Sequence, residues 1–452
     1  MGVVSARRAF ALLVGLTVVL LGLVVAMGTG RDGRQDLAAP TPAPTRTPGT
    51  EDGEGGGEGE EVVVPAVDGE WVGTWSAAPT GAEPGTRDGK AGRSIRNVVH
   101  ASVGGTSARV ELSNRYGTQP LTFTHVTVAL AASGGPAARA NSMREATFGD
   151  LASVTIPAGG SVVSDPVDLS VAAGADLLVT VYAPDPSGPV TYHRVAQQPV
   201  YVADGDLAGV RSGTPFTEDG ESWRYVTAVH VLSPDTDGSV VVLGDSLTDG
   251  VDSTPAANRR WTDVLARRLR ADPDAPALAV LNEGISGNRL LRDGAPDRVF
   301  NGVSGLRRLH TDVLAQSGVR TVVVQLGIND IILQPSQPDP EAIVAGLRLL
   351  TEQARAEGLH VVGATLAPFG GHGAYSEELE LIRQRVNAAI RAGGVFDAVT
   401  DFDAALRDPA LPQRLLPAYD SGDGLHPNDA GYEAMARAVD LSDLLGGAER
   451  AL

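Results

Sequence analysis

The sequence predicts an α/β protein in two parts: a β-sandwich of jelly-roll type over residues 62–235, then a flavodoxin-like three-layer α/β/α domain with a parallel sheet over residues 239–452. Three observations carry this. Beyond residue 239, strand-like runs (240–243, 278–281, 321–326, 360–366 and 396–400) alternate with helical patterns (261–269, 303–314, 340–357, 376–392 and 430–445), as a parallel sheet with helices on both faces requires. Between residues 62 and 235, alternating or β-branched runs instead recur about every ten residues between Gly, Pro, Asn and Asp, and no helical stretch interrupts them. A chain of 452 residues is also too long for one ordinary domain and long enough to bury two cores.

At the N-terminus, Arg7 and Arg8 precede an apolar run over residues 9–27. Residues 1–28 read as a signal peptide or as a membrane anchor, because the run is long enough to span a bilayer and its basic flank suits both. Ala26-Met-Gly28 is the best available cleavage site, and a poor one. Either outcome places the rest of the chain outside the cytoplasmic membrane, extracellular or at the cell surface, with membrane contact through this segment alone. Residues 29–61 are rich in Pro, Gly and Glu and lack apolar periodicity, which predicts a disordered spacer.

In the β-rich part the strand-like runs are 95–103, 107–112, 121–130, 160–167 and 177–182, and Gly104-Gly105 reads as a hairpin turn between the first two. Trp71, Trp75 and Trp223 are expected in the core. Carbohydrate binding is the alternative role for such a sandwich, but aromatic residues make up only 4% of the chain. A packing domain that forms one wall of the active-site cleft is the simpler expectation.

Composition removes several function classes. The net charge of −19 opposes nucleic acid. With no cysteine, disulfides, thiolate nucleophiles and thiolate metal sites are excluded. No His/Asp/Glu group has metal-ligand spacing and no phosphate-binding Gly-Lys loop occurs, so neither metal nor cofactor is expected.

The chemistry centres on residues 239–250, a buried-strand run that stops at Gly244-Asp245-Ser246. Such a turn holds Ser246 at the carboxyl end of a strand, where ligands bind in open α/β sheets. A serine hydroxyl needs a base, an acid to orient the base, and donors for the developing oxyanion. The chain offers candidates for each. Gly287 lies in a glycine-rich turn after the second strand, and Asn329 in the turn after the third. Asp423 and His426 stand three residues apart before a helical pattern, as acid and base. Asp245 and Asp330 are read as acceptors of local backbone hydrogen bonds, and His372 as part of a loop at the site's edge. His100, His125, His193, His230, His310 and His360 are read as structural.

These four segments, Gly244-Asp-Ser-Leu247, Ile285-Ser-Gly-Asn288, Gly327-Ile-Asn-Asp330 and Asp423-Gly-Leu-His-Pro427, resemble in order and content the blocks of the GDSL/SGNH hydrolases. The stretches beginning at Trp71 and Arg109 are similar to the secreted actinobacterial branch, in which a β-rich domain precedes the hydrolase. The resemblance implies a Ser246, Asp423, His426 triad and an oxyanion hole formed by the N–H of Ser246, the N–H of Gly287 and the amide of Asn329. It implies an exported serine esterase acting on a small acyl ester or acylated glycan. A lysophospholipase or lipase, an acyltransferase using the same triad, and an inactive glycan-binding protein stand as alternatives. The sequence leaves the oligomeric state open.

Overall fold

Strand β1 (Gly238–Gly244) runs through the interior of a five-stranded parallel sheet completed by β2 (Leu278–Gly284), β3 (Val319–Gln325), β4 (His360–Ala364) and β5 (Ala398–Thr400). The computed structural model describes residues 69–446; the expected signal peptide or anchor and the spacer lie outside them. The spatial order is β2-β1-β3-β4-β5, the flavodoxin-like order. Among the described residues no helix is long and apolar enough to cross a membrane.

The side-chain period of two explains why β1 is apolar throughout. Val241 and Leu243 face one core with Ile343, Leu347 and Leu350 of α4 (Pro340–Ala356) and Val386 and Ile390 of α5 (Glu377–Arg391). Val240 and Val242 face the other, with Trp261 and Leu265 of α2 (Trp261–Ala271) and Tyr432 and Met435 of α6 (Asp429–Ala438). Both faces are thus buried, as parallel sheets require. The helical reading of 303–314 resolves into a turn of α-helix, Gly305–Arg308, followed by a π-helix, Leu309–Leu314. That of 430–445 ends at Ala438 and resumes as the 3-10 turn Leu441–Leu444. Two short helices, α1 (Ser246–Asp249) and α3 (Ile328–Ile332), follow β1 and β3 directly. At four and five residues they are too short to show a 3.6-residue period.

The β-rich part is built on antiparallel sheets. Glu70–Ser76, Val226–Ser233, Ala108–Ser113 and Ser161–Val163 form one; Arg93–His100, Asp176–Ala183, His125–Leu130 and Val200–Asp204 form the body of a six-stranded second. Val72, Val110 and Val229 of the first pack with Ile95, Val128 and Val179 of the second in a single core. Trp75 and Trp223 meet edge to face within it, 4.8 Å between centroids. The second sheet also buries Arg96 on its far side. The Arg96 guanidinium lies over the Phe216 ring and donates to Thr180 and to the Pro136 and Val210 carbonyls; its burial lowers its pKa to about 10.

The hairpin expected at Gly104-Gly105 does not form. Arg93–His100 and Ala108–Ser113 lie in different sheets, and the glycines carry the chain across. A Cβ on Gly105 would stand 2.6 Å from the Leu232 carbonyl oxygen and one on Gly104 2.7 Å from that of Val171, so close backbone approach, rather than a turn, selects glycine here.

The β-rich and α/β parts pack into one compact unit. Glu70–Ser76 lies against β2, an edge strand of the parallel sheet, where Ala279 joins the sandwich core. A Cβ on Gly73 would meet Leu281 at 2.7 Å. The Ser102 hydroxyl accepts the Val280 N–H at 3.1 Å, and its carbonyl accepts from Arg270 at 2.8 Å. The sandwich therefore covers an edge that would otherwise present unpaired backbone groups.

Candidate active site

β1, β2 and β3 end level with one another. Gly244 aligns with Gly284 on one side and Gln325 on the other, so Ser246, Gly287 and Asn329 emerge just beyond one line across three adjacent strands. This is where the strand order reverses, the position at which open α/β sheets form a crevice.

Ser246 opens α1. The Asp245 carboxylate caps that helix by accepting the Leu247 N–H at 3.1 Å, and Gly250 ends it in the left-handed region at φ 88°. As the first helical residue, Ser246 has no earlier carbonyl in the helix to receive its N–H. A Cβ on Gly244 would fall 2.1 Å from Thr248 Oγ1, and one on Gly284 would fall 2.3 Å from the Asp249 nitrogen. Only glycine lets α1 sit this close to the strand ends. The Thr248 hydroxyl donates to Gln325 at 2.8 Å and fixes the helix to β3.

His426 and Asp423 arrive from the turn before α6. Asp423 Oδ1 accepts the N–H groups of Leu425 and His426, both at 2.8 Å, which folds the segment so that Oδ2 meets His426 Nδ1 at 2.6 Å. Gly424, at φ 76°, makes that fold possible, and Asn428 caps α6 just beyond it. His426 Nε2 lies 2.9 Å from Ser246 Oγ. Partial burial opposes the charge on Asp423, but the hydrogen bonds from His426 and the two N–H groups outweigh it and hold the carboxyl well below the usual carboxylate range. The result is a hydroxyl, an imidazole and an ionised carboxylate in one hydrogen-bonded line.

Gly287 has φ 79° in a turn closed by the Asn288 N–H on the Ile285 carbonyl, which leaves its own N–H outside the closing bond. Asn329 lies in α3 and is 4% exposed, and its side-chain nitrogen has no hydrogen-bond partner among the described residues. An unpaired buried donor costs stability.

Residues 242–434 match the family model for GDSL-like lipases and acylhydrolases. Over that span the chain carries a GDSL/SGNH hydrolase domain. It is therefore a carboxylic ester hydrolase. A GDSL lipase of Mycobacterium tuberculosis is 28% identical over 235 residues, which is 52% of this chain and 90% of that protein. Among solved structures, a lipolytic G-D-S-L protein of Desulfitobacterium hafniense is 21% identical (44% of this chain, 99% of that one, TM-score 0.34). A GDSL-like lipase of Bacteroides thetaiotaomicron is 18% identical (48% and 90%, TM-score 0.33).

Supporting residues of this GDSL hydrolase were less visible in the sequence. Arg308 is fully buried and donates to the Gly244 carbonyl, the Glu283 carbonyl and Asn288 Oδ1, tying together the ends of β1 and β2 and the Gly287 turn. Asp312 balances its charge at 2.7 Å and also receives Arg115 from the β-rich part at 3.2 Å. Asp330 departs from the expected local role: it accepts the N–H groups of Leu290 and Leu291, forty residues away, and so joins α3 to the segment after Gly287. Burial raises its carboxyl pKa. Asp245 does bond locally, and burial pushes it up to about 7. His372 holds a tight turn through the Ala374 N–H, in a loop whose Gly371 packs against Gly424.

One described group has metal-like proximity, Asp252 with Asp423 and His426, its ligand atoms within 4.8 Å of one another. Asp423 and His426 are already committed to one another and to Ser246. Beside α3 and the Gly287 turn lies a cavity of about 370 Å³ lined by Arg289, Arg298, Asn301, Ile332, Leu333 and Ala374.

Proposed function

We propose that the chain is an exported serine esterase that cleaves small acyl esters, including acyl groups on glycans, through Ser246, His426 and Asp423. The observation that carries the reading is the line from Asp423 Oδ2 through both nitrogens of His426 to Ser246 Oγ, at 2.6 and 2.9 Å. In this mechanism His426 takes the hydroxyl proton as Ser246 attacks the ester carbonyl, and Asp423 orients the ring and stabilises the imidazolium. The tetrahedral oxyanion is received by the N–H groups of Ser246 and Gly287 and the amide of Asn329. Collapse expels the alcohol, which takes its proton from His426 and leaves an acyl-serine. Water, deprotonated by His426, then releases the acid.

Support for a small acyl group comes from the cavity beside the Gly287 turn. Two arginines, an aspartate, an asparagine and a glutamine share its wall with Ile332, Leu333 and two alanines, a poor lining for a long alkyl chain. Support for export comes from the N-terminal sequence of residues 1–28. The test is acid release from p-nitrophenyl esters of increasing chain length and from acetylated xylan. Release confined to acetyl or short acyl groups and lost in Ser246→Ala, with folding verified, is the expected outcome. Turnover that survives Ser246→Ala overturns the assignment. Preference for long chains moves it to a lipase or lysophospholipase; acyl transfer to an added alcohol without hydrolysis moves it to a transferase. Glycan binding without turnover moves it to a binding protein.

A further inference from the structure

We infer that His193, contributed by the β-rich part, is a positioning residue for ester hydrolysis: through Asp249 it fixes the turn that presents the Gly287 N–H. The inference rests on the reading of Gly287 as an oxyanion donor.

His193 closes the strand Thr191–His193 and is 4% exposed, 5.4 Å from the Trp223 ring. Its Nδ1 lies 2.7 Å from the Ala78 carbonyl oxygen, and its Nε2 lies 3.2 Å from that of Val195 and 2.9 Å from Asp249 Oδ1. Carbonyl oxygens only accept, so a proton on each ring nitrogen satisfies all three contacts, and the surroundings favour the imidazolium. Burial works against that charge, but Asp249 and the carbonyl oxygens outweigh it and raise the pKa.

Asp249 is the last residue of the helix that Ser246 opens. Its second oxygen accepts the Ser286 N–H at 2.8 Å, one residue before Gly287. One buried carboxylate thus joins the nucleophile's helix to the turn beside it. Without a cation it would be an uncompensated buried charge, which proteins relieve by taking up a proton or by turning toward water. Either response loosens the hold on Ser286. His193 supplies the cation, and it comes from a sheet outside the hydrolase fold. The β-rich part is in this sense a component of the active site.

The test uses the chain from about residue 62 onward, with His193→Ala, His193→Gln and Ser246→Ala. Ester turnover is measured per active site, counted by burst titration, with thermal melting as the check on folding. The expected result for His193→Ala is a fall in kcat of about tenfold to a hundredfold with KM changed less than about twofold, as misplacement of a catalytic group gives. Phosphonylation of Ser246 by a p-nitrophenyl phosphonate, which also develops negative oxygen in the hole, falls in parallel. Faster amide exchange in the peptide spanning residues 285–288 accompanies both. His193→Gln, whose amide can still donate to Asp249, recovers part of kcat, and it decides the matter if His193→Ala does not fold. Unchanged kcat per site and unchanged phosphonylation, with melting alone lowered, overturn the inference while leaving the esterase reading intact. Turnover in Ser246→Ala would instead remove that reading itself.

Discussion

If Asn329 is the oxyanion donor proposed above, stability and catalysis diverge at one residue. Its buried amide nitrogen has no partner. Asn329→Ala is expected to cost about 10²–10³ in kcat, the usual loss for one oxyanion donor, while thermal melting stays level or rises because an unsatisfied polar group is gone. A parallel fall in stability would mean that the amide serves the fold. Asp245 gives a pH signature. Its folded pKa is about 7 against an ordinary 3.8, so across that interval the folded chain keeps a proton that the unfolded chain releases, and stability falls as pH rises. Asp423 acts in the opposite sense, its contribution being lost as pH falls below the ordinary carboxylate range. Melting temperatures of Asp245→Asn between about pH 4 and 7 should decline less than those of the parent. An identical decline would remove Asp245 from the account. Ser246, Gly287 and Asn329 could be singled out as candidates in the sequence because each follows a strand-like apolar run. His193 could not: its partner Asp249 lies in another domain, and nothing near either residue announces the pairing.

Elements obey the same logic of close approach. Gly284→Ala places a methyl group 2.3 Å from the Asp249 nitrogen and 2.7 Å from the Thr248 carbonyl carbon, and backbone cannot yield as a side chain can. A loss of about 1–3 kcal/mol in urea unfolding, with reduced turnover, is expected, whereas Gly373→Ala, in open space, should be silent. Comparable behaviour of the two would contradict the packing of α1 on β2. The hydrophobic runs disclosed all five parallel strands and the longer helices, since those signals depend on local period alone. The same reading misplaced Gly104-Gly105, where glycine serves a crossing between sheets, and it overlooked α1 and α3, whose few residues complete hardly more than one turn.

At the scale of the molecule, the sandwich and the α/β part are neighbours by contact as well as by sequence. A chain starting at Gly238 would expose Ala279 and Leu281 on an uncovered edge strand and leave Asp249 without His193. It is expected to aggregate by light scattering and to lose ester hydrolysis; a monomeric, fully active fragment would show that the sandwich is dispensable. Composition could separate two parts, but the contacts between them arise from side chains far apart in the chain, which no local pattern records.

The histidine that faces Ser246 lies 180 residues further along the chain. During synthesis the sandwich, the serine and its neighbouring turns all leave the ribosome well before Asp423 and His426 do. If these residues act as proposed, a chain cut short before Asp423 keeps the serine and both neighbouring turns but lacks the base, and it is expected to release no acid from any ester.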